Sequence, residues 1–321
     1  MRRTALPQHR EVSVNGITMH IAEQGEGPLV LLLHGFPESW YSWRHQFQPL
    51  AEAGYHVVAP DQRGYGGTDQ PSDVDDYSIF HLVGDVVGLI HALGERQAVV
   101  IGHDWGAPVA WNTAMMRPDL VRGVGGLSVA PAPRGPVPPL VAARQRFGDG
   151  FYQIYFQEPG VADAELNRDI RSTFRKTLAA TSGESDSSAA TPTAPAGGGF
   201  LSAMPEPEKL PSWLTEADID AYTEQYQRNG FTGGLNWYRN IDRNWALTAP
   251  WQGAPITAPA LHITGERDLV RGFYPPDYLE RLPEQLPGLR TVLDLPGCGH
   301  WTQQERPDEV NKALLEFLAG L

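Results

Sequence analysis

Gly102-His103-Asp104-Trp105-Gly106 is the stretch that decides how this chain folds. Gln97 to Ile101 before it reads as a buried strand, and Ala107 to Arg117 after it reads as a helix halted by Pro118. A strand that enters a helix through a glycine-flanked turn is the setting of a nucleophile elbow, whose usual pattern is Gly-x-Ser-x-Gly. The flanking glycines suit a sharp, strained turn, where larger side chains would collide with neighbouring elements. Here the tip of the turn is Asp104 instead of a serine.

Working outward, Leu29 to Leu33 is an all-apolar run of the kind found in a central strand covered on both faces. Tyr55 to Ala59 and Val121 to Val129 give further strands, and Tyr77 to Leu93 carries apolar residues at helical spacing up to Gly94. Near the start, Asn15-Gly16 lies between two alternating segments and signals a hairpin. Short apolar strands alternating with amphipathic helices predict an α/β fold: a mostly parallel sheet with helices on both faces.

The pattern changes at Pro131, where prolines crowd up to Pro139, and helix-like aromatic segments follow at Phe151 to Gln157 and Ala217 to Asn229. Between these, Thr181 to Gly199 is rich in Ser, Thr, Ala, Pro and Gly and reads as a mobile loop. Strand alternation resumes at Pro259 to Thr264 and Arg290 to Leu295, and an amphipathic helix runs from Pro307. The expected organisation is therefore a core of residues 1–130 and 246–321, interrupted by a helical insert over 131–245.

The chain has 321 residues, 41% hydrophobic and 20% charged, which suits a soluble globular protein with one large domain and an insertion. A net charge of −13 argues against nucleic acid and anionic membrane partners. Cys298 is the only cysteine, so no intrachain disulfide forms. Met1-Arg2-Arg3 is basic, but no apolar run of signal-peptide length follows, and the expectation is a cytoplasmic protein. Histidines and carboxylates are spread without ligand-like spacing and no phosphate-binding glycine motif occurs, so no metal and no organic cofactor is expected.

A carboxylate at the elbow is ionised at neutral pH and needs no base to act as a nucleophile. It suits displacement at sp³ carbon, leaving an alkyl ester, and so points to opening of epoxides or carbon–halogen bonds. Turnover of that ester needs a base. Gly297-Cys298-Gly299-His300-Trp301 places His300 in a glycine-rich loop directly after a strand. The order nucleophile, acid, histidine then selects Asp268, in Thr264-Gly265-Glu266-Arg267-Asp268, as the group that orients the imidazole; Glu266, Asp277 and Asp294 are its rivals. The turn His34-Gly35-Phe36-Pro37 can aim the Phe36 N–H at a developing oxyanion, with the Trp105 N–H as its partner.

Taken together, His34 to Arg44, Asp61-Gln62-Arg63-Gly64-Tyr65-Gly66 and Gly102 to Gly106 resemble the soluble, cytosolic-type epoxide hydrolases of the α/β-hydrolase superfamily, a branch that also occurs in bacteria. Tyr152-Gln153-Ile154-Tyr155-Phe156-Gln157-Glu158-Pro159-Gly160 and Gly234-Leu235-Asn236-Trp237-Tyr238-Arg239-Asn240 resemble that family's two cap-tyrosine motifs. The resemblance implies an α/β-hydrolase core with a helical cap, two epoxide-binding tyrosines at Tyr152 and Tyr238, and a small, apolar or aromatic epoxide as substrate. It leaves a homodimer open. Tyr155, one turn from Tyr152, is the rival for the first tyrosine. The implied reaction turns an epoxide into a vicinal diol. The competing readings are a haloalkane dehalogenase using the same aspartate, and a non-catalytic relative that binds a small ligand.

Overall fold

The computed structural model describes residues 6–185, 193–195 and 197–321. Eight strands form one sheet: β1 (Gln8–Val14), β2 (Ile17–Gln24), β3 (Leu29–Leu33), β4 (His56–Pro60), β5 (Ala98–His103), β6 (Val121–Leu127), β7 (Ala260–Gly265) and β8 (Leu289–Leu295). Their order is β1-β2-β4-β3-β5-β6-β7-β8. The pairs β1/β2 and β2/β4 are antiparallel and the remaining neighbours are parallel. Asn15 and Gly16, both at positive φ, turn the first hairpin.

Strand β3 shows how the two layers arise from the sequence. All five of its residues are buried. Leu29, Leu31 and Leu33 pack on the side of α2 (Ile79–Ala92) and α3 (Gly106–Met116). Val30 and Leu32 face α1 (Phe47–Glu52) and the C-terminal helix Pro307–Ala319, among Phe47, Leu50, Leu314 and Phe317. Side chains alternate across a strand, so an unbroken apolar run needs cover on both faces.

Seven described helices lie between β6 and β7: α4 (Pro139–Phe147), α5 (Tyr152–Tyr155), α6 (Val161–Asn167), α7 (Ile170–Ala180), α8 (Glu216–Asn229), α9 (Thr232–Arg239) and α10 (Ile241–Leu247). After β7 come α11 (Tyr278–Gln285), α12 (Thr302–Glu305) and α13 (Pro307–Ala319). Among the described residues, no helix is long and apolar enough to cross a membrane.

Several expectations need correction. The helix read over Tyr77 to Leu93 is two elements, a 3-10 turn at Val74–Tyr77 and then α2, because Ser78 is extended (φ −66°, ψ 158°) as the N-cap of α2. The strand read to Val129 stops at Leu127, since Ser128 has φ 67° and cannot continue a strand. Phe151 to Gln157 holds a single helical turn, α5. The loop read over Thr181 to Gly199 is not loose at its start: Thr181 accepts a backbone hydrogen bond from His300 at 2.9 Å, and Gly183 donates to Glu305 at 2.8 Å. Residues 186–192 and 196 of that stretch lie outside the described residues.

Strand β3 has β4 on one side and β5 on the other, so the chain leaves its carboxyl end in one direction and returns on the opposite side. Such a switch point opens a crevice beyond the strand ends. His34 to Pro37 follow β3 there and Asp104 follows β5. The elbow is tight: a Cβ at Gly106 would run into the carbonyl oxygen of Leu33, and one at Gly102 into the backbone of Gly106. We expect Gly106→Ala to lower stability by about 3 kcal/mol in denaturant unfolding, since the added methyl meets backbone that has no room to move. Gly272, which has open space around it, serves as the contrast: Gly272→Ala should change stability by less than about 0.5 kcal/mol.

Candidate active site

Asp104 has φ 48°, in the left-handed region that a residue other than glycine rarely adopts. This strain, held by the packed glycines around it, lifts the carboxylate out of the strand–helix junction. Oδ1 accepts the Phe36 N–H at 2.7 Å. Gly35 permits this approach, because a Cβ there would occupy the space of the Asp104 side chain. Oδ2 lies 3.4 Å from His300 Nε2. Trp105 is the N-cap of α3, and among the described residues its backbone N–H meets no protein acceptor. The N–H groups of a helix's first turn have no partner within the helix, so this one is free for an anion.

His300 Nδ1 is 3.0 Å from Asp268 Oδ1, which also accepts the Val270 N–H at 2.9 Å. Burial alone would lower the His300 pKa, but the carboxylates of Asp268 and Asp104 outweigh it and hold the value well above the ordinary histidine range. Burial likewise works to raise the pKa of Asp268, yet the His300 charge and hydrogen bond, with the Val270 N–H, keep it lowered. The rivals of Asp268 are engaged elsewhere. Glu266 accepts the Gly297 N–H at 2.8 Å and Asp294 pairs with Arg271 at 2.6 Å, while Asp277 sits at the start of α11, nine residues past Asp268.

A cavity of about 80 Å³ brings Asp104, His300, Tyr152, Tyr238 and Phe36 together, with Phe156, Phe200, Met204, Leu269, Val270 and Trp301 also in its wall. The rings of Tyr152 and Tyr238 are 5.9 Å apart, and burial, reinforced by the nearby Asp104 charge, pushes both phenols above their ordinary pKa. They are therefore neutral donors at pH 7. Tyr155 points elsewhere: its hydroxyl donates to Glu165 at 2.9 Å.

Glycines also explain how Tyr238 reaches the core. In α9, a Cβ at Gly233 would strike Gly64, and one at Gly234 would meet the Phe36 ring. The helix therefore sits directly on the two core loops, and Trp237 adds a hydrogen bond to the Arg63 carbonyl at 3.1 Å. Arg63 in turn is held by a buried pair with Asp85 at 2.6 Å.

Sequence reasoning assigned no role to a second polar layer beneath this site. Glu38 is fully buried and accepts from Gly35 N, His103 Nδ1, Gln303 and Gln304 at 2.8 to 3.1 Å. His103 Nε2 lies 2.8 Å from the His300 carbonyl oxygen, which also accepts from Ser128 Oγ at 2.8 Å. Both nitrogens of His103 thus face acceptors. Burial pushes the Glu38 pKa up, but the His103 charge and hydrogen bond, together with the Gly35 N–H, outweigh it and hold it low. In the sequence Glu38 stood within the resembling stretch His34 to Arg44 and His103 within the elbow, where packing or hydrogen bonding was its expected part, but nothing linked the two.

With this geometry in place, the likeness to known proteins is informative. Residues 28–307 match the family described as the alpha/beta hydrolase fold. Epoxide hydrolase A of Mycobacterium tuberculosis is 49% identical over 319 residues, covering 98% of each chain. Epoxide hydrolase 3 of Siraitia grosvenorii is 43% identical, covering 97% of this chain and 98% of the other. The crystal structure of Epoxide Hydrolase A from Mycobacterium thermoresistibile superposes with a TM-score of 0.93 at 51% identity, covering 98% of this chain and 99% of that one.

The chain belongs to the epoxide hydrolases of the alpha/beta hydrolase fold. None of these relatives supports the dehalogenase or ligand-binding readings. An epoxide hydrolase with this site carries its imidazole between two carboxylates, so removing either one should release the proton more easily. We expect the His300 midpoint, followed by NMR of its ring protons, to fall in Asp104→Asn and in Asp268→Asn; an unchanged midpoint in both contradicts the pairing. The sign for stability follows. A raised folded-state value stabilises the fold fully below the unfolded-state value of about 6.5, and that contribution is lost as pH rises through the folded value. From about pH 6.5 up to the folded value the melting temperature of the parent chain should therefore fall more steeply than that of Asp104→Asn.

Proposed function

We propose that this epoxide hydrolase works through an ester on Asp104 and that residues 131–245 form a cap over a core of residues 1–130 and 246–321. The observation that carries the reading is one carboxylate lying between an imidazole and two phenols inside a single small cavity. Tyr152 and Tyr238 donate to the epoxide oxygen, and an Asp104 oxygen attacks a ring carbon from the opposite side. The C–O bond breaks and the ring oxygen takes a proton from a phenol. Phenols suit this step because they polarise the oxygen without being charged partners of Asp104.

In the second step His300, oriented by Asp268, takes a proton from water, and the hydroxide adds to the ester carbonyl. The Phe36 and Trp105 N–H groups stabilise the tetrahedral anion. Collapse restores the Asp104 carboxylate and frees the diol. One hydroxyl of the diol carries the proton lent by the phenol and the other a proton of the water; the phenolate is reprotonated by His300, which takes its own proton back from that water. Timing is built into the charges. Esterification removes the Asp104 charge that helps hold a proton on His300, so the imidazolium passes its proton to the phenolate and becomes a free base when the ester needs one.

The walls contributed by Phe36, Phe156, Phe200, Met204, Leu269 and Val270 favour an apolar or aromatic epoxide. The buried, unpaired Cys298 fits a cytoplasmic setting.

Two measurements test the mechanism. In a single turnover in ¹⁸O-water the label should enter Asp104 first, and a first-turnover diol carrying all the label sinks the covalent route. His300→Ala should slow turnover by about 10³-fold and let the ester build up, visible by intact mass as enzyme plus one substrate. Tyr152→Phe combined with Tyr238→Phe should instead slow formation of the ester, by about 10²-fold or more.

A further inference from the structure

Glu305 lies one helical turn beyond His300, at the end of α12, and is only 6% exposed. It touches none of the catalytic groups. Its Oε2 accepts the N–H of Gly299 at 3.0 Å and the N–H of Gly183 at 2.8 Å, and its Oε1 accepts the N–H of Trp301 at 3.1 Å. Two of these donors flank His300 in the loop after β8. The third belongs to the segment that follows α7, in the insert. Burial pushes the Glu305 pKa up, so the fold keeps a carboxyl there at a cost, offset by the three N–H groups.

The contact between insert and loop is backbone on backbone. A Cβ at Gly183 would enter the Gly297 carbonyl oxygen, and a Cβ at Gly299 would enter Gly183 and Thr181. Across this seam Thr181 O accepts the N–H of His300 itself at 2.9 Å, and the Trp301 indole donates to Leu178 O at 3.0 Å. Arg267, next to Asp268, reaches over the same segment to the Gly183 carbonyl and to Ser185 O. Thr181 and Thr177 also line the catalytic cavity. Thus the insert that carries Tyr152 and Tyr238 holds the main chain of the base as well, through a carboxylate shared by both.

We propose that Glu305 is a positioning residue for ester hydrolysis, clamping the insert segment Thr181–Gly183 onto the His300 loop so that the imidazole faces Asp104. The proposal rests on the two-step reading above. Attack by Asp104 uses the elbow and the phenols, and neither touches Glu305. Water activation needs His300 in register. Loosening the clamp should therefore slow the second step and spare the first.

Glu305→Gln keeps the shape but offers one carbonyl oxygen where two oxygens now serve three donors, and turns an amide N–H₂ toward another N–H. Stopped-flow tryptophan fluorescence and quenched intact-mass sampling separate the two steps. We expect ester formation within about threefold of the parent chain and hydrolysis slowed at least tenfold, so that the ester dominates at steady state. Glu305→Asp, which retains two acceptor oxygens, should recover part of the hydrolysis rate. Gly183→Ala attacks the clamp from the insert side and should give the same split, and it decides the matter if Glu305→Gln fails to fold. Equal slowing of both steps, or no change in either, overturns the proposal. His300→Ala run alongside keeps the two ideas apart. If that variant accumulates no ester, the two-step reading fails; if it does and the Glu305 and Gly183 variants show no split, only the clamp fails.

Discussion

A buried imidazole held between two carboxylates, Asp268 at 3.0 Å and Asp104 at 3.4 Å, is the arrangement on which the rest of the structure depends. Charges inside an apolar site are tolerated only when paired and hydrogen-bonded. Here each carboxylate has one main-chain donor of its own, Phe36 N–H for Asp104 and Val270 N–H for Asp268. Those donors come from loops after β3 and β7, and the charged groups from loops after β5, β7 and β8. The parallel sheet is what delivers all of these loops to one edge, because parallel strands point their carboxyl ends the same way.

Around this centre, glycines do the work of close approach. Gly102 and Gly106 let the elbow bend, Gly35 lets the Asp104 side chain reach the Phe36 N–H, and Gly233 and Gly234 seat α9 on the core. At each of these places a methyl group would push a functional side chain out of line, not merely fill a void.

Much of this was legible in the sequence, for reasons that differ by residue. Leu29 to Leu33 announced a doubly covered strand because burial on both faces removes the usual alternation. Asp104 stood out through its flanking glycines, and His300 and Asp268 through chain order and their place after strands. Tyr152 and Tyr155 could not be separated by spacing alone, since they lie nearly on one face of a single turn; what separates them is Glu165, ten residues further on, which takes the Tyr155 hydroxyl. Glu38, Gln303, Gln304 and Glu305 were invisible as a group. Each looks like an ordinary polar residue near a loop, and its role comes from partners up to 266 positions away. The start of the Ser- and Gly-rich stretch was misread for the same reason. Its composition suits a loose loop, but Gly183 is there because the His300 loop packs against its backbone.

The distance along the chain between Asp104 and His300 has a consequence for biogenesis. His103, next to Asp104, and His300 are 197 residues apart. As a ribosome releases the chain from its N-terminus, β3, the elbow and α3 emerge long before β8 exists. In that interval Asp104 can meet the Phe36 N–H, but the imidazole that faces it across 3.4 Å is still missing. The two carboxylates thus stay without the imidazole they share until the last strand of the sheet and the loop after it have been made.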